Sequence, residues 1–119
     1  MSEHTCEAVV VHCMDFRPQH VLNDWLKNRF KIQNYDRISW AGGVRDFSSV
    51  KNQIQISYRL HNVKKVILIN HEDCGAYGST GTKERHVSDL AYAEEAIKSL
   101  YLDVEKYYLH LNGEFERIK

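Results

Sequence analysis

Proline and glycine are scarce in this chain, which has one proline and six glycines in 119 residues. No repeat, low-complexity tract or linker-like stretch interrupts it, so the sequence predicts a single domain over residues 1–119. An excess of charge of one sign is also lacking, because sixteen basic and sixteen acidic side chains cancel. This balance argues against a nucleic-acid-binding or membrane-binding surface formed by bulk charge.

Long apolar runs are absent as well. The longest, "AVVV" and "VILI", are far too short to cross a bilayer, and the N-terminal "MSEHTCEA" has no signal-peptide core. The three cysteines, Cys6, Cys13 and Cys74, are an odd number. They do not suggest the disulfide framework of a secreted domain. We therefore expect a cytoplasmic protein in which at least some cysteines bind a metal or take part in catalysis.

The apolar pattern alternates between buried strands and amphipathic helices. It predicts strands over residues 8–15, 36–43, 63–70 and 105–118, the last with the two-residue hairpin signal Asn112-Gly113. Helices are predicted at about 18–30, from Ser48 or Ser49 to Leu60, and at 87–101. This order predicts an α/β fold with a mostly parallel four-stranded sheet, helices on both faces and a C-terminal hairpin strand.

The helices show which side chains face the core. The second helix places Val50, Ile54 and Tyr58 on one face at helical spacing. In the first helix, Trp25 and Leu26 belong to an apolar stripe that forms either core or dimer surface.

His71 and Cys74 lie in the segment "NHEDCGAYG" (70–78), at the three-residue spacing of a metal-ligand pair. Sites in open α/β sheets form beyond the carboxyl ends of the strands, at a switch in strand order. We expect the strand order 2-1-3-4, in which Cys13 at the end of the first strand meets these two residues. Two thiolates and one imidazole suit Zn²⁺ and leave a fourth position for water, as in catalytic zinc sites.

The segment 13–17, Cys-Met-Asp-Phe-Arg, followed at a distance by the segment 71–75, His-Glu-Asp-Cys-Gly, resembles the β-class carbonic anhydrases. That family carries Cys-x-Asp-x-Arg on its first strand and His-x-x-Cys-Gly after its third. Residues 38–43, 50–76 and 107–118 are also similar to family segments, in the same order. The resemblance implies a zinc enzyme that hydrates carbon dioxide to bicarbonate, in homodimers or larger homo-oligomers whose pockets take residues from both chains.

The resemblance assigns a role to each motif residue. Cys13, His71 and Cys74 would hold Zn²⁺, which lowers the pKa of a bound water. Asp15 would accept a hydrogen bond from that water or hydroxide, and Arg17 would fork onto Asp15 and keep it ionised. The resemblance also implies a second state, in which Asp15 itself binds the zinc and water is excluded. The sequence leaves both states open.

The chain departs from the family pattern near the pocket. Phe16 stands where the family usually has Ser, Ser39-Trp40 replaces Arg-Asn, and Gly43 replaces a common Asn. The chain is also short, with a trimmed segment after Gly75.

These departures keep other hypotheses open. Phe16 and the trimmed segment motivate a related cumulated substrate such as CS₂ or COS. The lost Ser and Asn motivate a catalytically silent zinc protein of the same fold. A redox pair of Cys13 and Cys74 would leave His71 and Asp15 without a role.

The remaining candidates are weaker. His61 and His86 are possible proton shuttles by residue type alone. Cys6 matches no motif and is expected to be a spare thiol. His12 faces away from Cys13, toward the core or an interface, and Glu72 and Asp73 are expected to solvate a loop or cap a helix.

Overall fold

The computed structural model describes residues 4–119, and within them it contains five β-strands and three α-helices. The first three residues of the predicted domain, and of the N-terminal segment "MSEHTCEA", lie outside the described residues. In chain order the elements are β1 (Ala8–His12), α1 (Gln19–Arg29), β2 (Tyr35–Ser39), α2 (Phe47–His61), β3 (Lys65–His71), α3 (Lys83–Ala96), β4 (Asp103–Leu109) and β5 (Phe115–Ile118).

The strands form a single sheet in the order β2-β1-β3-β4-β5. The first four are parallel and β5 is antiparallel to β4. This arrangement confirms the predicted 2-1-3-4 order with a C-terminal hairpin strand. The order reverses between β1 and β3, which are direct neighbours, and a switch of this kind is where open α/β sheets carry their sites.

The position of β1 inside the sheet explains why its sequence is apolar without alternation. Val9 and Val11 pack with α2 and α3 on one face of the sheet. Ala8 and Val10 pack with α1 on the other face. All four side chains are buried, because helices cover a parallel sheet on both sides.

The stripe on α1 belongs to the core. Leu22 and Leu26 are buried, and the partly buried Trp25 packs against the same cluster. The Trp25 ring stacks on Phe115 with centroids 4.5 Å apart and meets Tyr107 edge-on at 4.9 Å. These contacts fix α1 over the β4–β5 hairpin.

The buried face of α2 corrects one prediction. Val50 and Ile54 are buried as expected, but Tyr58 is 39% exposed and Ser57 is buried in its place. The Ser57 hydroxyl donates to Asp36 Oδ2 at 2.6 Å. A polar residue occupies the core-facing position because it has this partner, which the apolar pattern could not reveal.

Helix ends differ from the predicted ones. The helix α2 begins at Phe47, and Ser48 and Ser49 lie in its first turn, donating to Asp46 rather than capping the helix. The helix α3 begins four residues before the predicted start, where the Thr82 hydroxyl accepts from the Arg85 amide at 3.1 Å. Its first turn is polar and therefore carried no apolar signal.

The same helix also ends earlier than predicted, at Ala96, because the chain tightens into a 3₁₀ turn at Lys98–Leu100 and Tyr101 adopts a left-handed conformation with φ of 56°.

The hairpin at Asn112-Gly113 is present but is longer than the predicted two-residue turn. His110 and Glu114 close it through a backbone hydrogen bond of 2.9 Å, and Gly113 has φ of 91°. This is the geometry of a three-residue loop with glycine in the left-handed position. Across residues 4–119, no helix combines the length and apolar character needed to span a membrane.

Candidate metal centre

The three predicted ligands meet at the carboxyl edge of the two central strands. Cys13 directly follows β1, His71 is the last residue of β3, and Cys74 lies three positions further on. Because β1 and β3 are parallel neighbours, their carboxyl ends lie side by side. The structure thus brings Cys13, His71 and Cys74 together, and all three are buried.

The distances among these side chains fit a zinc ion. Their ligand atoms all lie within 4.8 Å of one another, and the two sulfur atoms are 3.8 Å apart. Two Zn–S bonds of about 2.3 Å at a tetrahedral angle place their sulfurs about 3.8 Å apart. Bonded sulfurs would be only about 2.05 Å apart. The spacing is therefore that of two ligands of one ion.

The imidazole of His71 is oriented for a ligand. Its Nδ1 lies 2.9 Å from the backbone oxygen of Glu72 and must donate the hydrogen. Its Nε2 is buried and has no hydrogen-bond partner among the described residues. A buried nitrogen lone pair without a partner is costly, and a metal ion would satisfy it.

Backbone amides stabilise the thiolate form of Cys13. The amides of Asp15 and Gly42 point at its sulfur from 3.5 and 3.3 Å. Burial alone would raise the pKa of Cys13, but the imidazole of His71 and these two amides outweigh it and lower the pKa to about 7. Gly42 was not predicted in this role. Its φ of 83° is a conformation that favours glycine.

Cys74 has the opposite tendency. Burial raises the pKa of its thiol, and the nearby negative charge of Cys13 raises it further. Two adjacent buried thiolates repel each other unless a cation lies between them. A divalent ion would remove this repulsion, which further supports the fit of zinc to the donor set.

Asp15 and Arg17 form a close ion pair beside the three predicted ligands. Arg17 Nε lies 3.0 Å and Nη2 lies 2.5 Å from Asp15 Oδ2. Hydrogen bonds from Arg17 lower the pKa of Asp15 to about 2, and the same contacts raise the pKa of Arg17. Asp15 Oδ2 is 3.9 Å from His71 Nε2. The carboxylate is therefore paired with Arg17 while facing the ligand cluster.

Arg17 also reaches the second motif. Its Nη1 donates to Asp73 Oδ2 at 3.0 Å and its Nη2 donates to the Asp73 backbone oxygen at 2.7 Å. Asp73 has φ of 60°, a left-handed conformation that aspartate tolerates better than most residues. These hydrogen bonds connect the loop after β1 to the loop after β3. The sequence did not indicate this contact, since Asp73 was expected only to solvate a loop or cap a helix.

A cavity of about 120 Å³ opens beside His71. Its wall combines apolar and polar side chains, with apolar surface predominating. It is lined by Arg17, Pro18, Val21, His71, Glu72, Leu109, His110, Leu111 and Gly113. Phe16 is not part of this wall, because its side chain is 84% exposed in the single chain.

A buried polar network supports the loop that carries Cys74. The Asn70 side-chain amide lies 3.0 Å from the Tyr77 hydroxyl and 2.9 Å from His86 Nδ1. Tyr77 in turn donates to Asp89 at 2.7 Å and packs beside Cys13 and Cys74. The partners lie in β3, in the loop that follows it and in α3, and their spacing matches no motif, so the sequence did not indicate them.

None of the other histidines considered from the sequence lines the cavity beside His71. His86 is fully buried, and burial lowers its pKa to about 4. His61 ends α2, near the amino ends of the parallel strands. His12 is buried and its Nε2 accepts a hydrogen bond from Arg37 at 3.1 Å, which agrees with a core role.

Solved structures show which class of protein has this fold. A carbonic anhydrase from Glaciozyma antarctica superposes with a TM-score of 0.69 at 17% identity, over 100% of this chain and 85% of that one. A carbonic anhydrase from Streptococcus mutans gives 0.69 at 15%, over 98% and 84%. One of two tetrameric β-carbonic anhydrases from Sordaria macrospora gives 0.58 at 14%, over 97% and 81%. The fold is that of the β-carbonic anhydrases.

Sequence comparison then gives the family. A family model described as "Putative carbonic anhydrase" matches residues 3–119, and the chain belongs to that family. An uncharacterised protein of Rickettsia conorii is 27% identical over 93% of this chain and 71% of its own length. A second, from Rickettsia bellii, is 25% identical over 93% of this chain and 80% of its own length.

Proposed function

We propose that this protein is a zinc-dependent carbonic anhydrase that hydrates carbon dioxide to bicarbonate, within a single domain that covers the whole chain. One observation carries the proposal: Cys13, His71 and Cys74 converge in a buried cluster whose spacing and unpartnered His71 Nε2 fit zinc. Membership of the carbonic anhydrase family supports it.

In this proposal the three ligands hold the ion through Cys13 Sγ, His71 Nε2 and Cys74 Sγ. Zinc, when bound, supplies Lewis acidity that makes water a better nucleophile at neutral pH. The amides of Asp15 and Gly42 keep the Cys13 sulfur in its anionic form. The Nδ1–H bond from His71 to the Glu72 carbonyl holds the ring in the tautomer that leaves Nε2 free.

Asp15 and Arg17 orient the attacking water. Asp15 Oδ2 faces the cluster from 3.9 Å and, because its pKa is about 2, remains an acceptor at neutral pH. An ionised acceptor fixes the orientation of a water that donates to it. Arg17 holds the carboxylate in this rotamer with two nitrogens, and its contacts to Asp73 anchor the arginine. We infer that Asp15 pairs with Arg17 in the active state, rather than binding the metal.

The cavity suits a small apolar substrate. Val21, Leu109 and Leu111 supply apolar wall next to His71, and Arg17 also lines the cavity. Carbon dioxide is uncharged and needs no polar partner to enter an apolar cavity. The bicarbonate product is an anion that the guanidinium of Arg17 can attract. The lining therefore fits the substrate and product of this reaction.

The other hypotheses have less support. Hydration of CS₂ or COS was motivated partly by Phe16, which lies outside the cavity wall. A catalytically silent zinc protein would need no ionised acceptor beside the ligands, yet Asp15 occupies that place. A redox pair leaves His71 Nε2 unexplained.

The deciding experiment is stopped-flow hydration of CO₂ by the purified protein, with zinc quantified in the same sample. Parallel assays with COS and CS₂ identify the preferred substrate. We expect CO₂ hydration that scales with zinc content. A zinc-loaded protein that hydrates COS or CS₂ but not CO₂ would replace this proposal with the alternative substrate, and one inactive toward all three would indicate a silent zinc protein. We also propose a cytoplasmic location, which cell fractionation tests.

A further inference from the structure

A second cluster of side chains of metal-ligating types lies near the amino ends of the parallel strands, opposite the buried centre. Cys6 precedes β1, Asp36 lies in β2 and His61 ends α2. One ligand atom from each of these residues lies within 4.8 Å of the other two. Cys6 and Cys13 are seven positions apart along an extended segment, about 23 Å at ~3.3 Å per residue, so the two clusters cannot share an ion.

We propose that Cys6, Asp36 and His61 form a second binding site for a divalent transition-metal ion such as Zn²⁺. A thiol, a carboxylate and an imidazole together are typical ligands of Zn²⁺ and its spectroscopic substitute Co²⁺, rather than of Mg²⁺ or Ca²⁺. Three protein ligands leave a coordination position for water. The site is independent of the proposed carbonic anhydrase activity.

The backbone already holds the three ligands in place. The Cys6 amide donates to the His61 backbone oxygen at 3.1 Å, which joins the N-terminal segment to the end of α2. Strand pairing places Val9 opposite Asp36 and so fixes β2 beside β1. A site held this way loses little conformational entropy when an ion binds.

The charges around the carboxylate also favour a cation. Among the described residues, no Lys or Arg forms a salt bridge with Asp36. Its Oδ2 instead contacts His61 Nδ1 and the Ser57 hydroxyl, both at 2.6 Å. A metal ion would replace the proton shared by His61 and Asp36, and would displace the proton of Cys6. Ser57 would keep its bond to the carboxylate and orient it.

Solvent access distinguishes this cluster from the first one. The side chains of Asp36 and His61 are 32% and 31% exposed, and Cys6 is partly exposed, whereas Cys13 and Cys74 are buried. An ion would therefore exchange readily here. We expect weaker binding than at the buried centre, with occupancy that depends on the free metal concentration.

Metal titration tests the proposal directly. The purified protein with its buried centre loaded with zinc is titrated with Co²⁺, and thiolate-to-cobalt charge-transfer absorption and bound metal per chain are measured. We expect the wild type to bind one more equivalent than Cys6→Ser or His61→Ala, and both variants to lose the new absorption band. His20→Ala, an exposed histidine outside the cluster, serves as the matched control and should titrate like wild type.

Further variants keep the test independent of the carbonic anhydrase proposal. Cys74→Ser should retain the Cys6-dependent equivalent even if the buried centre is lost. Circular dichroism establishes that each variant is folded. A wild type that binds no metal beyond the buried centre would overturn the second site, as would a Cys6→Ser protein with an unchanged cobalt spectrum. A protein inactive toward CO₂ that still shows the Cys6-dependent band would support the second site alone.

Discussion

Gly43 packs directly against Asn70, and the contact leaves no room for a side chain. A Cβ at Gly43 would overlap Asn70 Oδ1, which accepts the Val44 amide at 3.1 Å. Gly43 also has φ of 61°, which side chains rarely adopt. The contact matters because Asn70 precedes His71, and its side-chain amide donates to the hydroxyl of Tyr77, which packs beside Cys13 and Cys74.

We therefore expect Gly43→Ala to lower the free energy of unfolding by about 1–3 kcal/mol, through backbone strain and loss of the Asn70 contacts. Gly75→Ala is the matched control, because a Cβ at Gly75 would meet nothing within 4 Å and the φ of Gly75 is not in the left-handed range. Urea unfolding of both variants provides the comparison. Equal effects at the two glycines would show that the Gly43–Asn70 contact has no special importance.

The lowered pKa of Glu105 predicts how the free energy of unfolding depends on pH. Glu105 is buried in β4, and although burial acts to raise its pKa, Arg29, Lys65 and Tyr107 lower the pKa to about 2 from the ordinary 4.5. A lowered carboxyl pKa stabilises the fold above pH 4.5, and this contribution disappears as the pH falls from 4.5 toward 2. We expect Glu105→Gln to lose roughly 2–3 kcal/mol at pH 7.

The measurement is the difference in unfolding free energy between wild type and Glu105→Gln, from about pH 7 to about pH 2.5. This range covers most of the interval between the ordinary pKa of 4.5 and the lowered pKa of about 2. If zinc is bound as proposed, its loss in acid affects both proteins alike and cancels in that difference. The difference should shrink as the pH falls. One that is unchanged across this range would mean that the ionisation of Glu105 does not stabilise the fold.

We expect the protein to form at least a dimer. Exposed apolar side chains on the single chain include Phe16, Tyr101 and Leu111, and such surface is commonly covered by association. Leu111 also lines the cavity beside His71. Sedimentation at micromolar concentration should give a particle of at least twice the 14.0 kDa chain mass. A particle of 14.0 kDa would contradict this expectation.

The sequence predicted the topology because each element carries its own pattern. Continuous apolar runs marked β1 and β3, and the motif cysteines and histidine fell at strand ends, where a 2-1-3-4 order must bring them together. What it could not supply were contacts between distant polar residues. The Arg17–Asp73 bond and the Ser57–Asp36 bond each join segments whose proximity exists only in the folded chain.

The same limit explains the second cluster. Cys6 and His61 belong to no spacing motif, so the sequence alone indicates only a spare thiol and a possible shuttle. They lie beside Asp36 only in the folded chain. There β1 pairs with β2, and α2 ends near the amino ends of these strands.

Replacing a ligand of the buried centre should release its zinc. We expect Cys74→Ser to lose the tightly bound ion and to melt at a lower temperature, because metal–ligand bonds contribute to folding free energy. Cys13→Ser and His71→Ala should behave likewise. Zinc is measured after dialysis against a mild chelator, with His20→Ala as a control that should keep it. Full retention of tightly bound zinc by Cys74→Ser would contradict the ligand assignment.

Asp15→Asn tests the mechanism most directly. The amide is nearly isosteric and can still accept from Arg17, so a merely structural ion pair would tolerate the change. If Asp15 orients the attacking water, the substitution can present an NH₂ where an acceptor is needed, and it leaves Asp73 as the one remaining carboxylate paired with Arg17 among the described residues. Loss of such a contact should cost roughly 2–4 kcal/mol of barrier, or about 10²–10³ in rate.

The measurement for Asp15 is kcat/KM against pH, with zinc assayed in wild type and variant. Arg17→Ala is the companion variant, because it removes the fork on Asp15 and the contacts to Asp73 but leaves the carboxylate charged and free to rotate. It should show a milder fall in kcat/KM, again with unchanged zinc, since no ligand is removed. Normal zinc with a normal rate in Asp15→Asn would reduce Asp15 and Arg17 to an ordinary surface ion pair.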